Sequence, residues 1–108
     1  MSKKFHIAVA VQNIEATVQE YSRRLGVTPA LVVADEYALW RTETLNFSIR
    51  KTKDAPGTVR HVGWEDPTAA GFTRETDANG LVWERFTEQD QQAEIVQLWP
   101  TAISQKAS

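Results

Sequence analysis

Two short runs of this chain each place a single histidine among apolar and small residues, and this shared pattern limits how the chain can fold. The runs are Phe5-His6-Ile7-Ala8-Val9 and Arg60-His61-Val62-Gly63-Trp64. Because side chains alternate between the two faces of a strand, each histidine shares its face with alanine or glycine and lies opposite bulky apolar side chains. The pattern predicts two related strands, with open space above the histidines and helices against the other face.

The chain divides into two unequal halves around these strands. Each half closes on a strand pattern, at 45–50 and at 81–86, and an ungapped alignment of the two patterns sets Ser48 against Glu84. The clearest turn signal, Asp54-Ala55-Pro56-Gly57, lies between the halves. We therefore predict a single domain over 1–108, with a first module at about 4–55, a second module at about 58–87, and a C-terminal helix and tail at about 88–108.

The first module is predicted as strand, helix and three strands. Asn13 is a typical helix N-cap, and Gly26 stands where a left-handed C-cap belongs. Between them, apolar residues recur at the spacing of one helical face: Ile14, Val18, Tyr21 and Leu25. Strand patterns cover 5–11, 31–33, 37–41 and 45–50.

The second module is shorter. Its patterns predict strands at 59–65 and 81–86 with one helical turn at 68–72, so about two strands and most of a helix are missing. In the C-terminal segment, Thr87 and Asp90 predict an approximate capping box. One face of this last helix would cover an open sheet edge or a partner subunit, and its residues are Ile95, Leu98 and Trp99. Residues 104–108 are predicted to form a frayed tail.

Composition excludes several classes of function. The chain has no cysteine, so disulfides, thiolate metal sites and cysteine nucleophiles are excluded. Its formal charge of -2 is scattered, unlike the basic face of a nucleic-acid-binding protein. No run approaches the roughly 18 apolar residues of a membrane span, and Met1–Lys4 leads into a strand pattern without a signal-peptide core. We therefore expect a cytoplasmic protein without nucleic-acid or membrane partners.

The residues also predict a metal site. Glu84 shares its strand face with Val82 and Phe86, where a lone carboxylate would be unfavourable unless a cation lay beside it. Two imidazoles and one carboxylate form the facial set of non-haem Fe(II) oxygenases, and Mn, Ni or Zn occupy similar sets. We predict a divalent-metal site at His6, His61 and Glu84. Two alternatives stay open, in which the histidines are hydrogen-bonded structural residues or Glu84 is an exposed residue paired with a nearby Arg or Lys.

Three further residues are candidate substrate contacts. Ser48, Asn46 and Arg50 share one strand face, and Asn46 and Arg50 suit an anionic substrate, with plain solvent exposure as the alternative. No residue is identifiable as a separate general base.

Parts of both modules resemble a known superfamily. The run 6–11, followed by 13–18, Tyr21 and Leu25-Gly26, resembles the opening β-α unit of the vicinal-oxygen-chelate proteins, which include glyoxalases, bleomycin-resistance proteins and dioxygenases. The run 77–84 is similar to the turn and strand that carry the superfamily's final metal carboxylate. The resemblance covers roughly residues 4 to 86.

The resemblance also points to one branch of the superfamily. Tyr37-Ala38-Leu39-Trp40 and Leu45-Asn46-Phe47 look closest to cadmium-induced and organoarsenical C–As lyase proteins. Those lyases bind trivalent arsenic through paired cysteines, which this chain lacks. The resemblance therefore does not extend to that activity.

The resemblance implies an α+β fold in which two unequal βαβββ-like modules form one cupped mixed sheet, with metal ligands on the inner face and a homodimeric assembly. In many members the fourth ligand comes from the position of Ser48, and because serine is a poor ligand we expect three ligands at most. The implied function is a divalent-metal enzyme (Fe, Mn, Ni or Zn) that acts on a small oxygen-bearing substrate by lyase, isomerase, transferase or oxygenase chemistry.

Two other functions remain open. In the first, the chain is a metal-free protein of the bleomycin-resistance type that binds and sequesters a hydrophobic or aromatic small molecule. Alternatively it would be a degenerate member that serves as an assembly subunit, which tryptophans filling the cup would support.

Overall fold

The computed structural model describes residues 2–101 as a mixed seven-stranded sheet with two helices, which confirms the predicted α+β fold. The predicted tail at 104–108 lies outside the described residues. No helix in this range is long and apolar enough to cross a membrane. In chain order the elements are β1 (Lys4–Val11), α1 (Ile14–Leu25), β2 (Leu31–Val33), β3 (Tyr37–Arg41), β4 (Leu45–Lys51), β5 (Val59–Glu65), β6 (Thr73–Thr76), β7 (Val82–Phe86) and α2 (Glu88–Leu98).

Helix α1 begins and ends at the predicted caps. Asn13 Oδ1 accepts a hydrogen bond from the Ala16 amide at 2.9 Å, and Gly26 has the left-handed conformation at φ 73°. Its apolar face packs on the outer face of the sheet, against a buried core that includes Val9, Trp40 and Ile49. The predicted helical face is confirmed.

The strand pairing reproduces the predicted relation between the two halves. The sheet order is β2-β3-β4-β1-β5-β7-β6, in which β1 is parallel to β4 and β5 is parallel to β7. Ala8 pairs with Ser48, and Gly63 pairs with Glu84, so each closing strand meets its histidine strand two positions after the histidine. Antiparallel pairing of β1 with β5 joins the halves at the centre of the sheet.

The second module differs from the prediction in one strand. Strand β6 pairs antiparallel with β7 and was not predicted, while the helical turn expected at 68–72 is absent from the structure as described. The module therefore has three strands and no helix, and the expected loss of about two strands was wrong by one. All four residues of β6 are exposed, so this edge strand carries no apolar periodicity from which it could be predicted.

Helix α2 covers the inner face of the first module's strands. Of the two predicted positions, the open sheet edge was wrong, and the partner subunit stays a prediction. The capping box of α2 at Thr87 and Asp90 is present as predicted. Ile95 packs against the buried side chains of Leu31, Tyr37 and Leu39, which point to the face opposite α1. The two helices therefore lie on opposite faces of the first module's strands.

Gly63 permits the closest backbone approach between β5 and β7. A Cβ atom added to Gly63 would lie 1.8 Å from the carbonyl oxygen of Glu84, far inside van der Waals contact. The obstacle is backbone, so no side-chain rotation relieves the clash. Any larger residue must push the two strands apart beside Glu84.

We predict that Gly63→Ala lowers the free energy of unfolding by at least about 2 kcal/mol, because overpacking against backbone forces strand displacement. Urea unfolding followed by circular dichroism measures the change. Gly71→Ala is the matched control. The φ angle of Gly71 is 158°, close to the 155° of Gly63, but no atom lies within 4 Å of a Cβ added to Gly71. Equal losses in the two variants would show that backbone conformation, not the clash, requires the glycine.

Candidate metal centre

The structure brings the three predicted ligands together on the inner face. His6 lies on β1, His61 on β5 and Glu84 on β7, and one ligand atom from each lies within 4.8 Å of the others. The two imidazole centroids are 5.0 Å apart. His6 is only 2% exposed and Glu84 only 5% exposed, so neither is a solvated surface residue.

The proton position on His6 is fixed by its neighbours. Its Nδ1 lies 3.2 Å from the backbone carbonyl oxygen of Asn46 and 2.8 Å from the side-chain Oδ1 of the same residue. A carbonyl oxygen only accepts hydrogen bonds, so Nδ1 carries the proton and donates. Burial lowers the pKa of His6 against the opposing effect of these hydrogen bonds, so the ring is neutral. Nε2 therefore has its lone pair free for a ligand.

The Asn46 side chain is itself held by a carboxylate. Asn46 Nδ2 donates to Glu65 Oε1 at 2.7 Å and to Gln91 Oε1 at 2.8 Å, while Oδ1 faces His6 and Gln91 Nε2. Because the Glu65 carboxylate only accepts, it determines which end of the amide meets His6. Arg41 binds both oxygens of Glu65, at 3.0 and 2.7 Å.

The same contacts keep Glu65 ionised. Burial by itself would raise the pKa of Glu65, but hydrogen bonds from Arg41 and Asn46 outweigh it and leave the pKa lowered. The resulting chain from Arg41 through Glu65 and Asn46 to His6 resembles the outer contacts that orient a metal-binding imidazole.

His61 and Glu84 form a second linked pair. His61 Nε2 is 3.1 Å from Glu84 Oε1, and Arg74 donates to Glu84 Oε2 through Nε at 3.1 Å and Nη2 at 2.6 Å. Burial, followed by nearby positive charges, lowers the pKa of His61 to about 3. Burial raises the pKa of Glu84, while Arg74 opposes that change. His61 is therefore neutral at physiological pH, as a metal-binding imidazole must be.

The donor set fits a divalent ion. It consists of two neutral imidazoles and one carboxylate, the nitrogen and oxygen donors that Fe, Mn, Ni and Zn accept. Two donors on one ion at about 2.1 Å lie no more than about 4.2 Å apart, so the widest pair, within 4.8 Å, needs only a small contraction. Glu84 Oε1 and the His6 Nε2 lone pair would face the ion without loss of the Asn46 or Arg74 contacts.

Two spaces meet at this centre. A cavity of about 40 Å³ lies beneath α2 and has His6, Ser48, Ile95 and Trp99 among its walls. It has room for an ion and a few water molecules but falls far below the roughly 300 Å³ of a small-molecule pocket. An open groove of about 340 Å³ lies beside it along β5 and β7. Three residues line both spaces: Arg60, His61 and Glu84.

The three candidate substrate contacts have different environments. Asn46 is fully buried, and its side-chain donors and acceptor are occupied within the protein. Ser48 is buried and lines the small cavity together with Tyr37, whose pKa burial raises. The Arg50 guanidinium lies 5.3 Å from the centre of the Trp99 ring and lines the small cavity. Of the three, Arg50 alone presents a charge to the cavity.

Several residues of the centre were not predicted. Glu65 could have been found, because it follows His61 and Gly63 at alternate positions and so shares their face. Arg74 and Gln91 had no such signal, since β6 has no apolar periodicity and the position of α2 depends on contacts distant in sequence. Arg60 precedes His61 and gave no pattern of its own.

The sequence matches no model of a protein family, and no curated protein matches it significantly.

We predict that Asn46→Leu weakens the preference of His6 for a proton on Nδ1 but does not abolish it, because the backbone carbonyl of residue 46 still accepts from Nδ1. The pKa of His6 should fall further, because the side-chain hydrogen bond that raises it is lost. Stability should fall by about 1–3 kcal/mol, since buried Glu65 loses a donor. Nitrogen-15 NMR of the two histidines measures tautomer and pKa. Gln91→Ala is the control, because it removes the contact from α2 and leaves the contact between His6 and Asn46. A wild-type ring protonated at Nε2 would contradict the assignment.

Proposed function

We propose that this chain is a divalent-metal enzyme of the vicinal-oxygen-chelate type, acting on a small oxygen-bearing substrate. The observation that carries the proposal is the convergence of His6, His61 and Glu84, with both imidazoles neutral and the His6 lone pair directed by Asn46. A structural histidine needs hydrogen-bond partners but no second imidazole and carboxylate beside it.

The strand order supports the same proposal. Two related modules meet at their histidine strands, and each pairs that strand in parallel with its closing strand. The resemblance in sequence led us to expect two modules that form one mixed sheet with ligands on its inner face, and this strand order supports that expectation. The second module contributes His61 and Glu84 although it lacks a helix.

The residues of the chain would divide the work as follows. His6, His61 and Glu84 hold the ion, which as a Lewis acid would stabilise negative charge on a substrate oxygen. Arg74 orients Glu84 and opposes the rise in its pKa that burial causes. Helix α2 excludes water from one side of the centre, while the groove beside Arg60 leaves the other side open to substrate. The reaction type stays open among lyase, isomerase, transferase and oxygenase chemistry.

A metal-free binding protein is the second candidate. The described residues include no fully buried side-chain nitrogen or oxygen without a hydrogen-bond partner, so the centre does not need an ion to satisfy an enclosed polar atom. Its ligand would have to be polar and would occupy the groove, because the space under α2 is too small for a hydrophobic molecule. An assembly subunit without a ligand is less well supported, since the inner face is covered by α2 but keeps the polar centre.

We predict about one equivalent of Fe, Mn, Ni or Zn per chain in protein purified without a histidine tag, measured by plasma mass spectrometry. His61→Ala and Glu84→Gln should each lose the metal, because each removes one of only three ligands. Glu75→Gln is the matched control, since Glu75 is an exposed carboxylate on β6 and should leave metal content unchanged.

The outcomes separate the two candidates. Absence of metal after reconstitution with each of the four ions would overturn the enzyme proposal and leave the binding protein. Metal retained in both His61→Ala and Glu84→Gln would mean that the ion lies elsewhere in the chain.

We also propose a homodimer in the cytoplasm. The cysteine-free sequence suits a reducing compartment. Within residues 2–101 no helix covers the outer face of the second module, where Phe5 makes edge contacts with both Trp64 and Trp83 and Trp83 is 37% exposed. Aromatic side chains grouped on an uncovered sheet face are typical of subunit interfaces.

We predict that Trp83→Arg converts a dimer to a monomer, because it places a charge within the aromatic cluster while keeping a donor for Asp77. Sedimentation equilibrium measures the mass. Val96→Arg is the control, since Val96 is 41% exposed on α2, and it should leave the mass unchanged. A wild-type protein that sediments as a monomer at high concentration would contradict the proposal.

A further inference from the structure

The groove beside the centre is polar, and most of its wall comes from the start of β5 and from β7. Its only apolar walls are Val59 and Val82, and the rest is hydroxyl, imidazole and charged groups. At about 340 Å³ it lies at the small end of the range for ligand pockets. A compact, polar molecule fits such a space better than an aromatic or aliphatic one.

Arg60 is the unusual group in this wall. It is half-buried, it lines both the groove and the small cavity, and it forms no ion pair or hydrogen bond with any residue from 2 to 101. A half-buried guanidinium without a partner is unfavourable in the free protein and becomes favourable once an anion binds.

The other charges around the groove do not provide that anion. Glu84 is bound by Arg74 and His61, and Asp54 is an exposed turn residue that lies outside ion-pair distance of Arg60. Arg74 donates to Glu84 through Nε and Nη2, which leaves its Nη1 group for another acceptor. Glu94 and Arg50 face the small cavity, and Arg50 lies against Trp99.

We propose that the groove binds the oxyanion of the substrate, a carboxylate or phosphoryl group, with Arg60 as its principal partner and Arg74 as the second. The inference rests on the proposed function, because an anion held here lies beside His61 and Glu84, where the ion would meet an adjacent substrate oxygen. A planar guanidinium donates two parallel hydrogen bonds to either group. The substrate class is thus a small anionic, oxygen-rich molecule.

Binding of inorganic phosphate and of malonate, measured by isothermal titration calorimetry at low ionic strength, tests this inference. We expect at least one of the two to bind, with its affinity lowered tenfold or more in Arg60→Gln. The loss should be smaller in Arg60→Lys, which keeps the positive charge but not the two parallel guanidinium donors. Arg23→Gln is the matched control, because Arg23 is an exposed arginine of α1, and it should bind as the wild type does. The tighter ligand of the two identifies a phosphoryl or a carboxylate group.

The titration is run on chelator-treated protein and on metal-reconstituted protein. In one outcome the protein binds the anion through Arg60 and yet takes up no metal. That result supports the proposed anion site in the groove and overturns the proposal of a metal enzyme. Metal uptake without anion binding, or equal anion affinity in Arg60→Gln and the wild type, overturns the proposed anion site in the groove. The proposal of a metal centre is then unaffected. Circular dichroism shows whether each variant is folded. If Arg60→Gln does not fold, the affinity of Arg60→Lys for the anion is compared with that of the wild type instead.

Discussion

The antiparallel pairing of β1 with β5 is the interaction on which the centre depends. It sets His6 opposite Gly63 and Ala8 opposite His61, so the two histidines are diagonal neighbours on one face. A slip of one residue would turn one imidazole to the outer face, against α1 or solvent. The small partners matter equally, because an alanine and a glycine leave the space that two imidazole rings occupy.

Burial of polar groups is the second constraint, and it explains the contacts around the ligands. Two imidazoles and a carboxylate removed from water must be neutral, paired or bound to an ion. In the free protein, Asn46 pairs with His6 and Arg74 pairs with Glu84, while His61 Nε2 lies 3.1 Å from Glu84 Oε1. If a divalent ion binds, His6, His61 and Glu84 would hold it, and the contacts of Asn46 with His6 and of Arg74 with Glu84 would orient two of these three ligands.

The predictable part of this molecule is the part that is encoded by local patterns. The caps of α1 follow from the residue types Asn13 and Gly26, and the face of each histidine follows from strand alternation. The equivalence of Ser48 and Glu84 follows from aligning two strands of similar pattern. Strand β6 was missed because both of its faces are exposed. The pairing of Asn46 with Glu65 and the position of Arg74 depend on residues brought together by the sheet, for which one sequence carries no signal.

Helix α2 shows how the two modules compensate for each other. The second module has no helix, yet the inner face of the first module would expose Leu31, Leu39 and Tyr37 without a cover. Ile95 supplies that apolar cover, and Gln91 binds Asn46, so the helix docks partly through the residue that orients His6. Because α2 occupies this side of the centre, access from solvent is left to the groove along β5 and β7. The direction of access to His61 and Glu84 therefore follows from which module lacks its helix.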